Sequence, residues 1–339
     1  MRLSRYLVFL VLTVALSLSV SGQTMNLRFS LPPVMGSLPV AFAEAWGMFD
    51  AEELNLEVIG LSDDQARNMA LLAGEIDGMV CDVPTAVLLA ATGNDVVVTS
   101  TAYTPEQSGS LAILSQSYFN INTLDELLDL TAEGNSLKSI ALTSMSSAEF
   151  HVDALLRAQG HDVSPERHYS YWYDMLQVAT FLSFGSVYAA VLPEPYVTYI
   201  ETFPPLKQGS HLVHLSDFEG IDLLPSIIVF RRDAVERNAD AVAAFYRGLQ
   251  AGINEVNSID RDELVDTGID IALDLFFPGS TRDTVPDGIL DDFEIPLFQS
   301  PEPLDEARFA EVVAWAQTKK YIWQTPDYGT VVSLAFCND

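Results

Sequence analysis

Two stretches, Ser37-Leu-Pro-Val-Ala-Phe-Ala-Glu-Ala-Trp-Gly-Met-Phe49 and Asp77-Gly-Met-Val-Cys-Asp-Val-Pro-Thr85, decide the fold. In the first, a short strand ends at Pro32-Pro33 and Gly36. Ser37 and Pro39 then open an apolar helix whose first N–H groups have no partner within the helix. In the second, a buried strand delivers Asp82, Pro84 and Thr85 straight into a helix that runs from Thr85 onward. Two strand ends that each feed a helix N-terminus make a polar notch at the edge of a parallel sheet.

Outward from these stretches, strand and helix patterns alternate. Residues 26–31, 54–59, 78–81 and 96–101 read as strands, with helices over 40–49, 65–73 and 85–92 between them. This order is βαβ and predicts an α/β fold with a mostly parallel sheet. After 111–114 the pattern restarts, with helices at 124–130 and 147–160 and strands at 139–142, 169–171 and 189–192. A further apolar run at 223–230 precedes mostly helical sequence, including 240–256 and 304–319. Two lobes are expected: one discontinuous, from residues 24–112 and 224–339, and one inserted, from 113–223. Chain crossings near 111–115 and 223–230 would form a hinge that lets a cleft close on ligand.

The order and spacing of these features resemble the substrate-binding proteins of ABC importers, in the branch that includes nitrate, sulfonate, taurine and thiamine-precursor binders. Further matches are the amphipathic segment before Gly74-Glu75-Ile76-Asp77-Gly78, the Ser144-Met-Ser-Ser147 turn, and Ala189-Ala-Val-Leu-Pro-Glu-Pro195. The resemblance covers nearly the whole chain after its leader. It implies the type II periplasmic binding protein fold, with two mostly parallel sheets, flanking helices and a two-crossing hinge. It also implies a small-molecule ligand held between the lobes and an ABC permease as the partner of a monomeric binding protein.

The rest of the composition agrees. Arg2 and Arg5, the apolar run 7–20 and the small residues Val20-Ser-Gly22 read as a signal peptide over 1–23, cleaved before Gln23 or Thr24. The run is shorter than the ~20 residues a spanning helix needs. No cysteine lies near the cleavage point, so the expectation is a periplasmic or extracellular protein without a lipid anchor. A net charge of −30, with 17 Lys and Arg, excludes a nucleic-acid binder and predicts a well-solvated surface. Cys81 and Cys337 make no disulfide framework, and either a single bridge or two unpaired thiols fit.

Enzyme motifs are missing: there is no Gly-x-Ser-x-Gly, no His-Glu-x-x-His, no phosphate-cradling Gly-x-x-x-x-Gly-Lys and no dinucleotide fingerprint. His211 and His214 lie in an extended pattern that points them to opposite faces, so no metal is expected there. The acidic run 283–294 lacks the alternating ligands of a calcium loop and reads as a solvated loop or helix start. No catalytic residue and no cofactor is expected.

Ser144, Ser146 and Ser147 follow a strand and start a helix, so hydroxyls and free N–H groups could hold a polar atom, or simply cap the helix. Tyr171-Trp172-Tyr173 offers planar rings at a strand end for stacking. Glu194, between Pro193 and Pro195, sits where the prolines force the chain out of its sheet and present the carboxylate. The candidate ligand contacts are Ser37, Leu38, Trp46, Asp82, Pro84, Thr85 and Tyr103 from the first lobe, and Ser144, Ser146, Ser147, Tyr171, Trp172, Glu194 and Tyr196 from the second. These positions supply two carboxylates and no arginine, which favours a neutral or amine-bearing planar ligand such as a pyrimidine thiamine precursor. The alternatives are a sulfonate, taurine or nitrate binder of the same family, or a sensory binder that docks a receptor.

Overall fold

The structure, a computed structural model, describes residues 24–61, 63–105, 110–131, 140–163, 168–172, 174–202, 209–285 and 287–337. The expected signal peptide and Tyr173 lie outside these residues. The chain begins with β1 (Met25–Ser30), α1 (Leu38–Ala45), α2 (Met48–Ala51), β2 (Leu54–Val58), α3 (Asp64–Ala73), β3 (Gly78–Asp82), α4 (Val83–Ala91) and β4 (Val96–Tyr103). It continues through β5 (Leu111–Gln116), α5 (Leu124–Thr131), β6 (Ile140–Thr143), α6 (Ser147–Ala158), β7 (Tyr169–Trp172), α7 (Met175–Ser183), β8 (Ala189–Pro193), α8 (Tyr196–Thr202) and β9 (Leu212–Ser216). It returns through β10 (Ser226–Arg231), α9 (Arg232–Arg237), α10 (Ala239–Ser258), α11 (Arg261–Phe276), α12 (Asp287–Asp292), α13 (Glu306–Thr318) and α14 (Tyr328–Val331).

The strands form two five-stranded sheets, in the orders β2-β1-β3-β10-β4 and β7-β6-β8-β5-β9. In the first, β1 pairs in parallel with β2 and β3, while β10 runs antiparallel to both β3 and β4. The second repeats the plan, with β6 parallel to β7 and β8, and β5 antiparallel to β8 and β9. Each sheet therefore has four strands in one direction and one reversed. The reversed strand is in both cases the first after the chain has crossed from the other sheet, so it enters from the cleft side.

The sequence reading put the crossings near 111–115 and 223–230; the first is displaced, to 104–110, and the second overlaps the observed connection. Run 111–115 lies within β5; of run 223–230, residues 226–230 lie within β10 and 223–225 belong to the 217–225 connection, which contains the expected boundary after residue 223. The expected boundary after residue 112 falls within β5, where Leu111 and Ala112 already pair with Pro193 and Leu192 of the second sheet. Residues 111–116 are buried throughout, and such a run reads as a strand covered on both faces rather than as a hinge.

The first sheet carries an aromatic core. Phe29 of β1 lies 5.5 Å from Phe230 of β10 and 5.0 Å from Phe245 of α10, and Phe49 stacks on Phe245 at 5.4 Å. α10 packs along α1 at a glycine: a Cβ on Gly252 would fall 2.5 Å from that of Ala43. No helix among the described residues is long and apolar enough to cross a membrane. Cys81 and Cys337 are both free thiols, and Cys337 Sγ donates to Thr99 O at 3.2 Å.

Candidate ligand-binding cleft

A cavity of about 760 Å³ opens between the sheets. Its apolar walls include Pro32, Pro33, Met35, Leu111, Met175, Leu224 and Ile295. Its charged lining is Asp64, Arg67, Asp82, Asp174, Glu194 and Glu294, with His151 beside them. The size suits a drug-sized organic molecule, and a few fixed polar groups on apolar walls are what orient such ligands. Gly36 belongs to the wall because nothing larger fits: a Cβ there would meet Ser226 Oγ at 1.9 Å.

Asp82 is at the centre of the geometry. It ends β3 and caps α4, accepting from Thr85 N at 2.9 Å through Oδ1. Its other oxygen, Oδ2, accepts from Ser147 N at 2.7 Å, and Ser147 is the first residue of α6 in the other lobe. One carboxylate thus caps two helices from two sheets. Burial raises its pKa, and the hydrogen bonds from Thr85 and Ser147 partly offset that rise.

The start of α6 has its own cap. Glu149 N donates to Ser146 Oγ at 3.4 Å, and Met145 N donates to Glu149 Oε2 at 2.7 Å. Ser146 is further tied to Thr143, donating to its carbonyl at 2.7 Å. Ser147 Oγ is buried without a partner. One turn on, His151 Nε2 accepts from Leu224 N at 2.8 Å, joining α6 to the 217–225 crossing. Burial, aided by Arg308, depresses this histidine to about 3, so it is neutral.

Glu194 lies at the end of β8, and its peptide bond to Pro195 is cis. Its Oε2 accepts from Thr198 N at 3.2 Å, and burial raises its pKa above the ordinary 4.5. Asp174 caps α7 by accepting from Gln177 N at 2.8 Å. Arg67 is 4% exposed and donates to Leu61 O at 2.8 Å while pairing with Asp64.

Of the sequence candidates, Asp82, Thr85, Tyr103, Ser146, Ser147 and Glu194 line this cavity. The others are not among its lining residues. Leu38 and Pro84 are buried, and Ser37 is fully buried with its Oγ unpartnered. Trp46 stacks on Phe42 at 5.0 Å. Ser144 sits half-buried in the turn before α6. Tyr171 donates to Glu149 Oε1 at 2.8 Å, and Trp172 packs on Phe181 at 4.7 Å. Tyr196 is 1% exposed, in the core, with its hydroxyl toward Phe276 O at 3.4 Å. Strand alternation explains the aromatic pair: neighbouring residues of β7 take opposite faces, so Tyr171 meets α6 and Trp172 meets α7.

Sequence reasoning missed Asp64, Arg67, His151, Asp174 and Glu294. Arg67 had a signal, since its i+3 and i+4 partners Ala70 and Leu71 are the buried face of α3. The expectation of a cleft without arginine is corrected by that residue. Glu294 had none, because nothing in its local sequence marks the loop after α12 as part of the cleft.

A second inter-lobe cluster lies on α6 beyond the cleft. Glu149 and Asp153, both fully buried, face Lys319 at the end of α13, 2.7 and 3.0 Å away. Tyr321 OH also donates to Glu149, while Tyr169 OH and Trp315 Nε1 donate to Asp153, at 2.6–2.8 Å. Burial and the adjacent carboxylates push the phenols of Tyr169 and Tyr171 up, so both remain donors. Among the described residues no group of three or more His, Cys, Asp or Glu could hold a metal ion.

Two α/β lobes around a cleft, each with one reversed strand, are the two-lobed type II fold of periplasmic binding proteins. The alkanesulfonate-binding protein SsuA from Xanthomonas axonopodis pv. citri, solved with MOPS, superimposes with a TM-score of 0.69 at 15% identity, covering 91% of this chain and 98% of its own. The periplasmic nitrate-binding protein NrtA from Synechocystis PCC 6803 gives 0.70 at 12% identity, over 93% and 87%. A zinc-bound ligand-binding component of an ABC-type import system from Staphylococcus aureus gives 0.67 at 15%, over 92% and 97%. No family model and no curated protein matches the sequence.

Proposed function

We propose that this chain is an extracytoplasmic solute-binding protein of an ABC importer, a monomer that captures a small organic amine or amino-heterocycle and passes it to a permease. The carrying observation is the charge of the cleft. Five carboxylates, Asp64, Asp82, Asp174, Glu194 and Glu294, face one guanidinium, and Arg67 is already paired with Asp64. A cationic or amine-bearing head gains charge-assisted hydrogen bonds here, whereas an anion meets net repulsion. Glu194, with one oxygen engaged by Thr198, offers Oε1 to such a donor, and a planar head such as an aminopyrimidine fits beside Tyr103. The leader 1–23 delivers the protein outside the cytoplasm on this reading, and the chain performs no catalysis.

Native mass spectrometry of freshly purified protein, followed by calorimetry, tests it. A co-purifying amine that rebinds supports the reading; only anionic ligands would sink it. Sulfonate or nitrate binding is the second reading, favoured by Arg67 on the wall and by the named ligands of the similar structures.

A further inference from the structure

The cleft contains an anion of the protein's own. Asp82 Oδ1 takes the N–H of Thr85 at α4, and Oδ2 takes that of Ser147 at α6, at 2.9 and 2.7 Å. The two helices belong to different lobes. Their first-turn N–H groups and aligned peptide dipoles converge on one point, the geometry by which helix ends hold carboxylates, sulfonates and phosphates. Beside that point Ser147 Oγ is buried and unpartnered, a hydroxyl left over once the carboxylate is seated.

We infer that Asp82 is a specificity-determining residue, which occupies with its own carboxylate the place between the lobes where an anionic head group would sit. Two consequences follow from the same pair of bonds. An external anion finds both donors taken, so the cleft rejects it. The lobes also have a tie that needs no ligand, because Asp82 bridges them directly. The inference rests on the solute-binding reading for the role of the cleft and narrows the ligand to molecules without an anionic head.

Removing the carboxylate is the test. Full-length wild type, Asp82→Ala, Asp82→Asn and, as control, the exposed Asp240→Asn away from the cavity would be titrated with formate and with methanesulfonate, against chloride at equal ionic strength. Melting temperature and radius of gyration are the readouts. Asp82→Ala should melt lower than wild type and regain part of the loss with formate or methanesulfonate, binding either at least about tenfold more tightly than wild type does. Wild type and Asp240→Asn should not respond. Asp82→Asn keeps one acceptor oxygen of two, so its ligand-free radius of gyration should exceed that of wild type. Methanesulfonate binding to wild type as tightly as to Asp82→Ala overturns the inference, as does an Asp82→Asn protein of wild-type size. If Asp82→Ala fails to fold, the wild-type titration and Asp82→Asn still decide. The solute-binding reading stands or falls separately, on what co-purifies with wild type.

Discussion

The ammonium of Lys319 lies 2.7 Å from Glu149 Oε1, and the pair joins the first lobe's α13 to the second lobe's α6. The contact is an ion pair. The Glu149 and Asp153 side chains are fully buried and that of Lys319 is 8% exposed. Any opening of the lobes on this side must part them.

Lys319→Met should therefore cost about 3–5 kcal/mol, because it leaves Glu149 buried without a cation and Asp153 with only Arg157, 3.6 Å away. Chemical denaturation measures this. The double variant with Glu149→Gln should recover a part of the loss, and strict additivity of the two changes would show the pair to be uncoupled.

Glu194→Gln separates ligand recognition from stability. The raised pKa of Glu194 means that its stabilising contribution is present below pH 4.5 and is lost as pH rises through the folded-state value. At pH 7.5 the buried carboxylate thus weighs against the fold. The variant, still able to accept from Thr198, should melt slightly above wild type at pH 7.5, with the gain fading toward pH 4.5. Its affinity for an aminopyrimidine should fall by about 1.5–3 kcal/mol. A melting curve that shifts equally at both pH values contradicts the burial argument.

His214 pairs with Asp217 at 2.6 Å and Glu201 at 2.8 Å, just before the second crossing. Desolvation lowers its pKa, but the hydrogen bonds to the two carboxylates outweigh that and the net shift is upward from 6.5. Its stabilisation is complete below pH 6.5 and disappears as pH rises through the folded-state value. His214→Gln should lower the melting temperature at pH 6 and leave it nearly unchanged at pH 9. An equal loss at both would assign the effect to packing.

Aromatic substitutions should divide by position. Tyr103 lines the cavity and sits edge-on to Phe298 at 5.7 Å, so Tyr103→Ala should weaken ligand binding by about 1–3 kcal/mol. Trp172 packs on Phe181, so Trp172→Ala should lower stability and leave the dissociation constant close to wild type. Calorimetry and thermal melting on both variants check the division; the reverse pattern would move Trp172 into the cleft.

The α/β order was legible because short apolar runs and amphipathic helices alternate from Met25 to Tyr103 with few exceptions. The strand-to-helix turns at Asp82 and Ser146 were legible too, since capping residues and prolines mark them. What could not be read was partnership across the chain. Asp82 looks like a free cleft carboxylate until Ser147 is placed 2.7 Å away. Tyr196 follows two cleft residues in sequence, yet the turn into α8 swings it inward against Phe276 and Phe277. Arg67 was legible but overlooked: Ala70 and Leu71, three and four residues on, mark its face of α3 as the buried one.

The place of β10 also means that the first sheet cannot be completed until the chain has been made to Arg231. Strands β3 and β4 are successive in the chain but not neighbours in the sheet, since the strand between them begins only at Ser226. The second lobe's sheet is assembled from one continuous run, β5 to β9, whereas the first waits with two open edges for a segment made much later. A chain truncated before Ser226 would keep the second lobe's sheet whole and lose the middle of the first. In the intact protein, Ser226–Arg231 can pair only after the second lobe's sequence has been made, and its insertion covers the edges of β3 and β4 that until then are open to pairing with another chain.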